Sequence, residues 1–262
     1  MQYRLPEIFN GENLVICFTN PGSQKPFMSL ASQNIPDLHL VGAACGTECL
    51  PFYRYTASGE RVENITDWAL EQFKEKYEGG KMKAESEPAT SSLTKLDIFH
   101  YVYAVLHHPA YRQKYERNLK REFPRIPFYD DFWQWAAWGR QLMELHLNYE
   151  QAEPYPLERK EKDSKSLARP RLIARKDSGI IEVDTSTTLS GVPAETREYR
   201  LGTYSALEWI LERYKERTPK DPTIREKFNT YRFADYKEQV IDLLRRVTTV
   251  SVESMNIIKR MP

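Results

Sequence analysis

Two short motifs have residue types that catalytic sites use. Asn20-Pro21-Gly22 shares two letters with the Asn-Pro-Pro-Tyr loop that holds a flipped base in amino-methyltransferases, but it lacks the aromatic residue that stacks on the base. Glu158-Arg159-Lys160 supplies the short Glu-x-Lys element of metal-dependent nucleases. Because 29% of the chain is charged, this spacing arises by chance. We therefore expect the first motif to be non-catalytic and the second to be a solvated loop.

The cysteines and histidines offer no complete site either. Cys45 and Cys49 have a spacing that suits a metal, but a structural zinc site needs four ligands and no second Cys or His pair matches them. His100, His107 and His108 have no Ser or Cys partner in an identifiable motif. We expect buried or half-buried thiols, and histidines that pack or lie on the surface.

Two longer motifs are also missing from the sequence. S-adenosylmethionine binding needs a glycine-rich turn after a strand, and a phosphate-hydrolysing motor needs a glycine-rich loop that ends in Lys-Ser or Lys-Thr. Neither is present. The sequence therefore predicts no catalytic site, no metal and no cofactor in this chain.

Length and composition predict a folded protein. The 262 residues suffice for one large domain or two small ones, and 40% are hydrophobic, which excludes a disordered chain. Lys and Arg (38) balance Asp and Glu (37), so any affinity for nucleic acid must come from local basic faces. Three cysteines, no apolar leader and no membrane-length apolar run predict a soluble, cytoplasmic protein.

The sequence predicts that these residues are positioned by an α+β fold with short antiparallel or mixed β segments, a central helical block and a carboxy-terminal helix. Residues 1–73 are β-rich, with strands expected over 13–18, 38–41 and 50–55. Residues 74–94 are mostly Lys, Glu, Gly, Ser and Thr, which predicts a linker or exposed loop.

The helical block is predicted over 95–149. His108-Pro109 should end its first helix and start a second, which continues through 111–121. A third helix over 131–149 has four aromatic residues that we assign to the core. They are Phe132, Trp133, Trp135 and Trp138.

A β-rich insert is predicted over 150–200 and further helices over 201–262, including an amphipathic one around Leu207 and a last one from about Tyr236. In the insert, two short strands flank the turn-forming sequence Lys176-Asp-Ser-Gly179, which indicates a hairpin. The domains expected are thus 1–73, the linker, and one domain over 95–262.

Several long stretches resemble one family. Asp97-Ile-Phe-His-Tyr-Val-Tyr-Ala-Val-Leu-His-His-Pro-Ala-Tyr-Arg112 and Leu119-Lys-Arg-Glu-Phe-Pro-Arg-Ile-Pro-Phe128 are similar to the region after the methyltransferase motifs in type ISP restriction-modification enzymes. Tyr199-Arg-Leu-Gly-Thr-Tyr-Ser-Ala-Leu-Glu-Trp209 and Val247-Thr-Thr-Val-Ser-Val-Glu-Ser254 resemble the carboxy-terminal segment of that family. Leu50-Pro-Phe-Tyr-Arg-Tyr55 resembles the strand that precedes the helical block.

The resemblance implies a function in DNA recognition. In that family one polypeptide joins a nuclease, a helicase-like motor, an amino-methyltransferase and a carboxy-terminal target recognition domain, and this chain corresponds to the last. The β-rich segment would be the end of a methyltransferase-side sheet. Met1 then stands where the family is deep inside the protein, so we expect a fragment, a split subunit or a truncated gene product.

The implied partners are double-stranded DNA and the methyltransferase and helicase modules of the same enzyme. S-adenosylmethionine, ATP and magnesium would serve the full-length enzyme, outside this chain. The alternative is a non-catalytic scaffold that packs on those modules and touches DNA little, which the near-zero net charge and the Trp-rich helix favour.

A DNA reader needs Lys and Arg for phosphates and forked side chains for base edges. Two groups of residues are candidates. The first, in the helical block, is Arg117, Lys120, Arg121 and Arg125, and the second, in the insert, is Lys165, Arg169, Arg171, Arg175 and Lys176. Helical spacing would place the first three of the first group on one face, although interspersed glutamates also suit a solvated face. We expect the first group to hold the DNA backbone and the second, in a loop and hairpin, to read bases.

Overall fold

The computed structural model describes residues 11–40, 45–79, 92–162, 168–175, 178–228 and 230–262. The chain is α+β, as predicted, and divides into two compact units. The first unit comprises Met1–Leu147 with Ile257–Pro262, and the second comprises Asn148–Asn256. The predicted linker over 74–94 falls inside the first unit.

In its described residues, the first unit has two small antiparallel sheets. Their strands are β1 Val15–Thr19, β2 Ser29–Ser32, β3 Thr47–Pro51, β4 Tyr53–Tyr55 and β5 Arg61–Glu63. β1 lies between β2 and β3, and β4 pairs with β5. All five residues of β1 are buried, which suits the central strand of a sheet. The strands predicted over 13–18 and 50–55 are confirmed, the latter as two strands that meet at the buried Phe52.

The prediction of a strand over 38–41 is wrong for the residues of that range that the structure describes. Residues 38–40 form a turn, and Val41 lies outside the described residues. The Asp37 carboxylate accepts a hydrogen bond from the amide of His39 (2.7 Å), and the Asp37 carbonyl accepts one from Leu40 (3.1 Å). An aspartate that bonds to the backbone in this way favours a turn over a strand.

The helices of the first unit begin with α1 Asp67–Glu78, which the sequence did not predict and which includes the first residues of the expected linker. The others are α2 Lys95–His107, α3 Pro109–Lys114, α4 Glu116–Leu119 and α5 Phe132–Leu147. The helix boundary at His108-Pro109 is confirmed. α2 begins with a capping box in which Thr94 and Asp97 satisfy each other's backbone amides.

Two expectations for the helical block are wrong. The second helix breaks at Tyr115, whose φ of −107° and ψ of 19° are not helical, and α4 ends at Leu119. In the third helix, Trp133 is 45% exposed, whereas Phe132, Trp135 and Trp138 are buried. The buried three recur every third residue and so share one helical face, which leaves Trp133 on the other side.

The second unit is built on the predicted insert. Its four-stranded antiparallel sheet has the order β6-β9-β8-β7, with the hairpin predicted around 176–179 as β7 and β8. The strands are β6 Glu158–Glu161, β7 Pro170–Arg175, β8 Ile180–Asp184 and β9 Thr187–Ser190. A two-stranded ribbon follows, of β10 Arg200–Leu201 and β11 Tyr204–Ser205.

The other α-helices that the structure describes are α6 Ala206–Arg213, α7 Pro222–Phe228 and α8 Phe233–Ile258, and short 3-10 helices lie at Tyr149–Gln151 and Ala194–Arg197. α6 and α8 confirm the predicted carboxy-terminal helices, and α7 was not predicted. One face of the sheet supplies Leu172, Ile181 and Leu189 to the core of this unit, and α8 supplies Val240 and Leu244. No helix in the described part of the chain is long and apolar enough to cross a membrane.

Candidate nucleic-acid interface

One face of the four-stranded sheet is buried and the other is open to solvent. Along β8, Ile181 and Val183 are buried, while Glu182 between them is only half-buried. This alternation is that of a sheet with one face on the core. We call the open side the outer sheet face. Its described side chains are Glu158, Lys160, Arg171, Ile173, Arg175, Ile180, Glu182, Thr188 and Ser190.

The strand register brings two predicted DNA-contacting residues to one carboxylate. Glu182 of β8 lies opposite Ile173 of β7, between Arg171 and Arg175. Nη1 of Arg171 donates to Oε2 of Glu182 (2.9 Å), and Nε of Arg175 donates to Oε1 (2.8 Å). The two guanidinium groups are therefore held side by side on the outer sheet face.

The charge on Glu182 is strongly favoured. Hydrogen bonds from Arg175 and Arg171, in that order, lower the pKa of Glu182 to about 2. The same bond raises the pKa of Arg175 above its ordinary value. Glu182 and Arg175 are thus ionised throughout the neutral pH range.

An irregularity in β7 helps to place Arg171. The pairing passes from Ile173 opposite Glu182 to Pro170 opposite Asp184, so β7 contains one extra residue there. Within this bulge, Leu172 has φ of 47°, in the left-handed region that side-chain-bearing residues rarely adopt. Bulges bend a strand and redirect its side chains, and here Leu172 is buried while Arg171 is exposed.

The outer sheet face has a small basic excess. Its three basic side chains are those of Lys160, Arg171 and Arg175, against the two carboxylates of Glu158 and Glu182. Glu158 accepts a hydrogen bond from Ser190 (3.0 Å) and pairs with Lys160 (3.2 Å). The excess is local, on a chain whose net charge is +1.

Other basic residues of this unit pair with acidic residues of the fold. Arg159 makes a bidentate pair with Glu238 of α8 (2.7 and 2.9 Å). Lys237 contacts the buried carboxylate of Asp184 at 2.8 Å. Burial acts to raise the pKa of Asp184, but Lys237 and the backbone amides of Ser186 and Thr187 outweigh it and bring that pKa to about 2. These cations stabilise the fold.

The rest of the second predicted group is described in part. Arg169 is exposed, and its amide donates to the hydroxyl of Thr185 (3.0 Å) while its carbonyl accepts from the Thr185 amide (2.9 Å). Its backbone is thus held at the edge of the sheet. Lys165 and Lys176 lie outside the described residues.

The first predicted group lies in the first unit, at and beyond α4. Since α4 ends at Leu119, Arg117, Lys120 and Arg121 do not share a helical face as predicted. Lys120 pairs with Glu116 at 2.6 Å. Arg125 pairs with Glu122 at 2.7 Å.

The group's backbone is anchored to the rest of the unit. The Lys120 carbonyl accepts a hydrogen bond from the amide of Gly22 (2.7 Å). Asn20-Pro21-Gly22 is therefore a turn that fixes this segment, with Gly22 at φ of 88°. Arg117 and Arg121 are exposed beside this anchor.

The structure shows the position and burial of the residues that we considered for catalysis. Glu158 lies in β6 rather than in a loop, and its contacts are those given above. His107 and His108 are buried, Cys45 is buried and Cys49 is half-buried, as predicted. Among the residues that the structure describes, no group of three or more His, Cys, Asp or Glu side chains is placed to hold a metal ion.

Comparison with known proteins identifies the family. Residues 1–243 match the type ISP C-terminal specificity domain. The chain belongs to this family. No curated protein matches this chain.

Solved structures that are similar to this chain include the following three. The DrdV protein of a DrdV–DNA complex, determined by cryo-electron microscopy, is 53% identical over 100% of this chain and 26% of its own, with a TM-score of 0.91. A nuclease-deletion mutant of the type ISP enzyme LlaGI, in complex with a DNA substrate mimic, is 27% identical over 99% of this chain and 22% of its own (TM-score 0.72). The ATP-dependent type ISP enzyme LlaBIII, bound to DNA, shares the fold at 24% identity, over 100% of this chain and 17% of its own (TM-score 0.77). The chain therefore spans about a quarter or less of the length of these relatives.

Glu182 of the outer sheet face was not among the predicted site residues. The signal for Glu182 was present in the hairpin. A turn over 176–179 pairs Arg175 with Ile180, and counting back along both strands places Glu182 opposite Ile173.

Proposed function

We propose that this chain recognises a specific DNA sequence, as the target recognition part of a type ISP restriction-modification enzyme. The observation that carries the proposal is its similarity over the whole chain to DrdV, which was determined in complex with DNA. Family membership over residues 1–243 supports the same function.

We assign base recognition to Arg171 and Arg175 on the outer sheet face. Arg171 and Arg175 are exposed, adjacent and held in place by Glu182, as base-reading side chains must be to discriminate between sequences. Arg169, at the edge of the same sheet, is available for a neighbouring phosphate or base.

We assign contact with the DNA backbone to the segment at and beyond α4. Arg117 and Arg121 are exposed there, and the hydrogen bond from Gly22 to Lys120 fixes the segment's path. Contacts of this kind position a protein on the duplex without reading its sequence. They depend strongly on salt, because each phosphate contact releases condensed counterions.

The test is double charge reversal, R171E with R175E, measured by fluorescence anisotropy on a duplex that contains the preferred site. Single contacts of this type are each worth about 1–3 kcal/mol, so we expect at least tenfold weaker specific binding at moderate salt. The matched control is K215E with R217E. These two residues likewise share one carboxylate, that of Glu212 (2.6 and 2.7 Å), but they lie outside the sheet.

The control variant should retain most of the specific affinity, because it makes the same change in net charge elsewhere. Equal losses in the two variants would show that only overall charge matters and would contradict the assignment to the outer sheet face. Unchanged thermal unfolding establishes that each variant is folded.

The second candidate function is that of a scaffold that packs on the other modules and touches DNA little. Exposed aromatic side chains of the first unit favour it, since Phe123 is 54% exposed and Phe128 and Trp133 are each 45% exposed. A salt titration discriminates between the two functions, because phosphate contacts make log K fall linearly with log salt, whereas an apolar interface does not.

For the whole enzyme we propose that this chain acts with methyltransferase and helicase modules. S-adenosylmethionine, ATP and magnesium would be bound by those modules and by a nuclease, outside this chain. The cytoplasmic location expected from the sequence stays a prediction.

A further inference from the structure

Glu182 holds two arginines of the outer sheet face at once. Each of its carboxylate oxygens accepts a hydrogen bond from a different guanidinium, that of Arg171 or that of Arg175. A long arginine side chain on an open sheet face otherwise samples many rotamers, and ordering it on binding costs conformational entropy. Glu182 restricts both side chains before any ligand arrives.

The atoms that bind Glu182 leave a recognition pair on each arginine. In the hydrogen bonds among the described residues, Arg175 uses Nε and Arg171 uses Nη1 for Glu182. Arg175 thus keeps Nη1 and Nη2, and Arg171 keeps Nε and Nη2. Each of these is a pair of adjacent donors in one plane. Guanine presents the matching pair of acceptors, O6 and N7, in the major groove.

The bulge in β7 is a second, independent observation. The extra residue between Pro170 and Ile173 puts Leu172 at φ of 47°, an unfavourable conformation for a residue with a side chain. A regular strand would place Arg171 opposite Asp184, and the bulge moves it toward Glu182. Backbone strain of this kind persists where the surrounding structure imposes it, and it clusters at functional sites.

We propose that Glu182 is a positioning residue that orients Arg171 and Arg175 to read guanine in the DNA target. Glu182 thereby sets base preference without contacting the DNA itself. The inference rests on the proposed function, and it adds the identity of the base and the residue that prepares the arginines to bind it.

The experiment compares E182Q with E158Q. Both variants remove one negative charge from the outer sheet face, but Glu158 binds Ser190 and Lys160 and neither arginine. Binding is measured on the preferred duplex, on duplexes in which each guanine in turn is replaced, and on unrelated DNA. We expect E182Q to lose about tenfold of its preference for guanine at one or two positions, since one bidentate contact gives discrimination of that order or more. E158Q should keep the preference.

Both variants should bind unrelated DNA slightly more tightly than the wild type, and by the same amount, because each variant has lost one negative charge from the outer sheet face. A merely structural role for Glu182 would lower thermal stability without changing which base is preferred. E182D supplies a second readout, because it keeps the charge but is too short to span both arginines, and it should lose the same preference.

Base preference in E182Q and E182D equal to that of the wild type would overturn the inference. If R171E with R175E still abolished that preference, the proposed function would stand without it. A wild-type chain that prefers no sequence would overturn the proposed function, and the role of Glu182 with it.

Discussion

Replacing Gly139 with Ala should destabilise the first unit, although the same change usually stabilises a helix. α2 and α5 cross at this residue. A Cβ atom at Gly139 would lie far inside contact distance of the His100 carbonyl oxygen, 2.5 Å from its carbonyl carbon and 3.2 Å from the amide nitrogen of Ala104. All three are backbone atoms of α2, so no side-chain rotation relieves the overlap.

The magnitude follows from two opposed effects. Ala is favoured over Gly in a helix interior by about 1 kcal/mol. Overpacking a core costs about 1–3 kcal/mol and occasionally more, and a clash of Cβ with helix backbone belongs at the top of that range. We therefore expect a net loss of about 2 kcal/mol or more, which lowers Tm by roughly 4–8 °C in a protein of this size.

The assay is thermal unfolding followed by tryptophan fluorescence, since four of the five tryptophans, Trp135 among them, lie in the first unit. Gln134→Ala, at an exposed position of α5, is the control and should change stability by no more than about 0.5 kcal/mol. A G139A protein as stable as the wild type, or more stable, would refute the close packing of α2 on α5.

Three further predictions concern titration, capping and thiols. Burial, aided by the charge of a nearby arginine, lowers the pKa of His146 from 6.5 to about 3. The unfolded chain therefore binds a proton that the folded chain does not, and the free energy of unfolding should fall as pH drops below about 6.5. In His146→Gln, the free energy of unfolding should change less with pH when it is measured between neutral pH and pH about 4.5. Ser205→Ala removes the side-chain cap of α6 and should cost about 1 kcal/mol in urea unfolding, whereas Ser205→Asp, which retains a capping oxygen, should cost little. Cys17 and Cys49 are register partners with Sγ atoms 3.9 Å apart, so a disulfide oxidant should join them, with the loss of two hydrogen atoms seen by intact mass; an unchanged count of free thiols would contradict that pairing.

Local patterns predicted the elements whose signals are strong and short-range. The hairpin of β7 and β8 follows from the turn-forming Asp-Ser-Gly sequence between two short strand-like runs, and the helix boundary at His108-Pro109 follows from the proline alone. The bulge could not be predicted, because Leu172 has no sequence signal for a positive φ. The break at Tyr115 likewise carries neither Gly nor Pro.

The candidate site was predicted in part. Basic residues in a hairpin indicated Arg171 and Arg175, but the carboxylate that joins them depends on strand register, which the turn position fixes. Ion pairs between residues that are far apart in the sequence could not be predicted. Arg159 meets Glu238 on α8, and no local pattern distinguishes that structural arginine from one on the outer sheet face.

Binding-site selection shows directly whether this chain recognises a specific DNA sequence. Random duplexes are selected with this chain alone and with the chain joined to a methyltransferase partner, and the bound DNA is sequenced. We expect enrichment of one short asymmetric sequence that contains at least one guanine, with affinity that falls as salt rises. Binding without any enriched sequence in either form would contradict it.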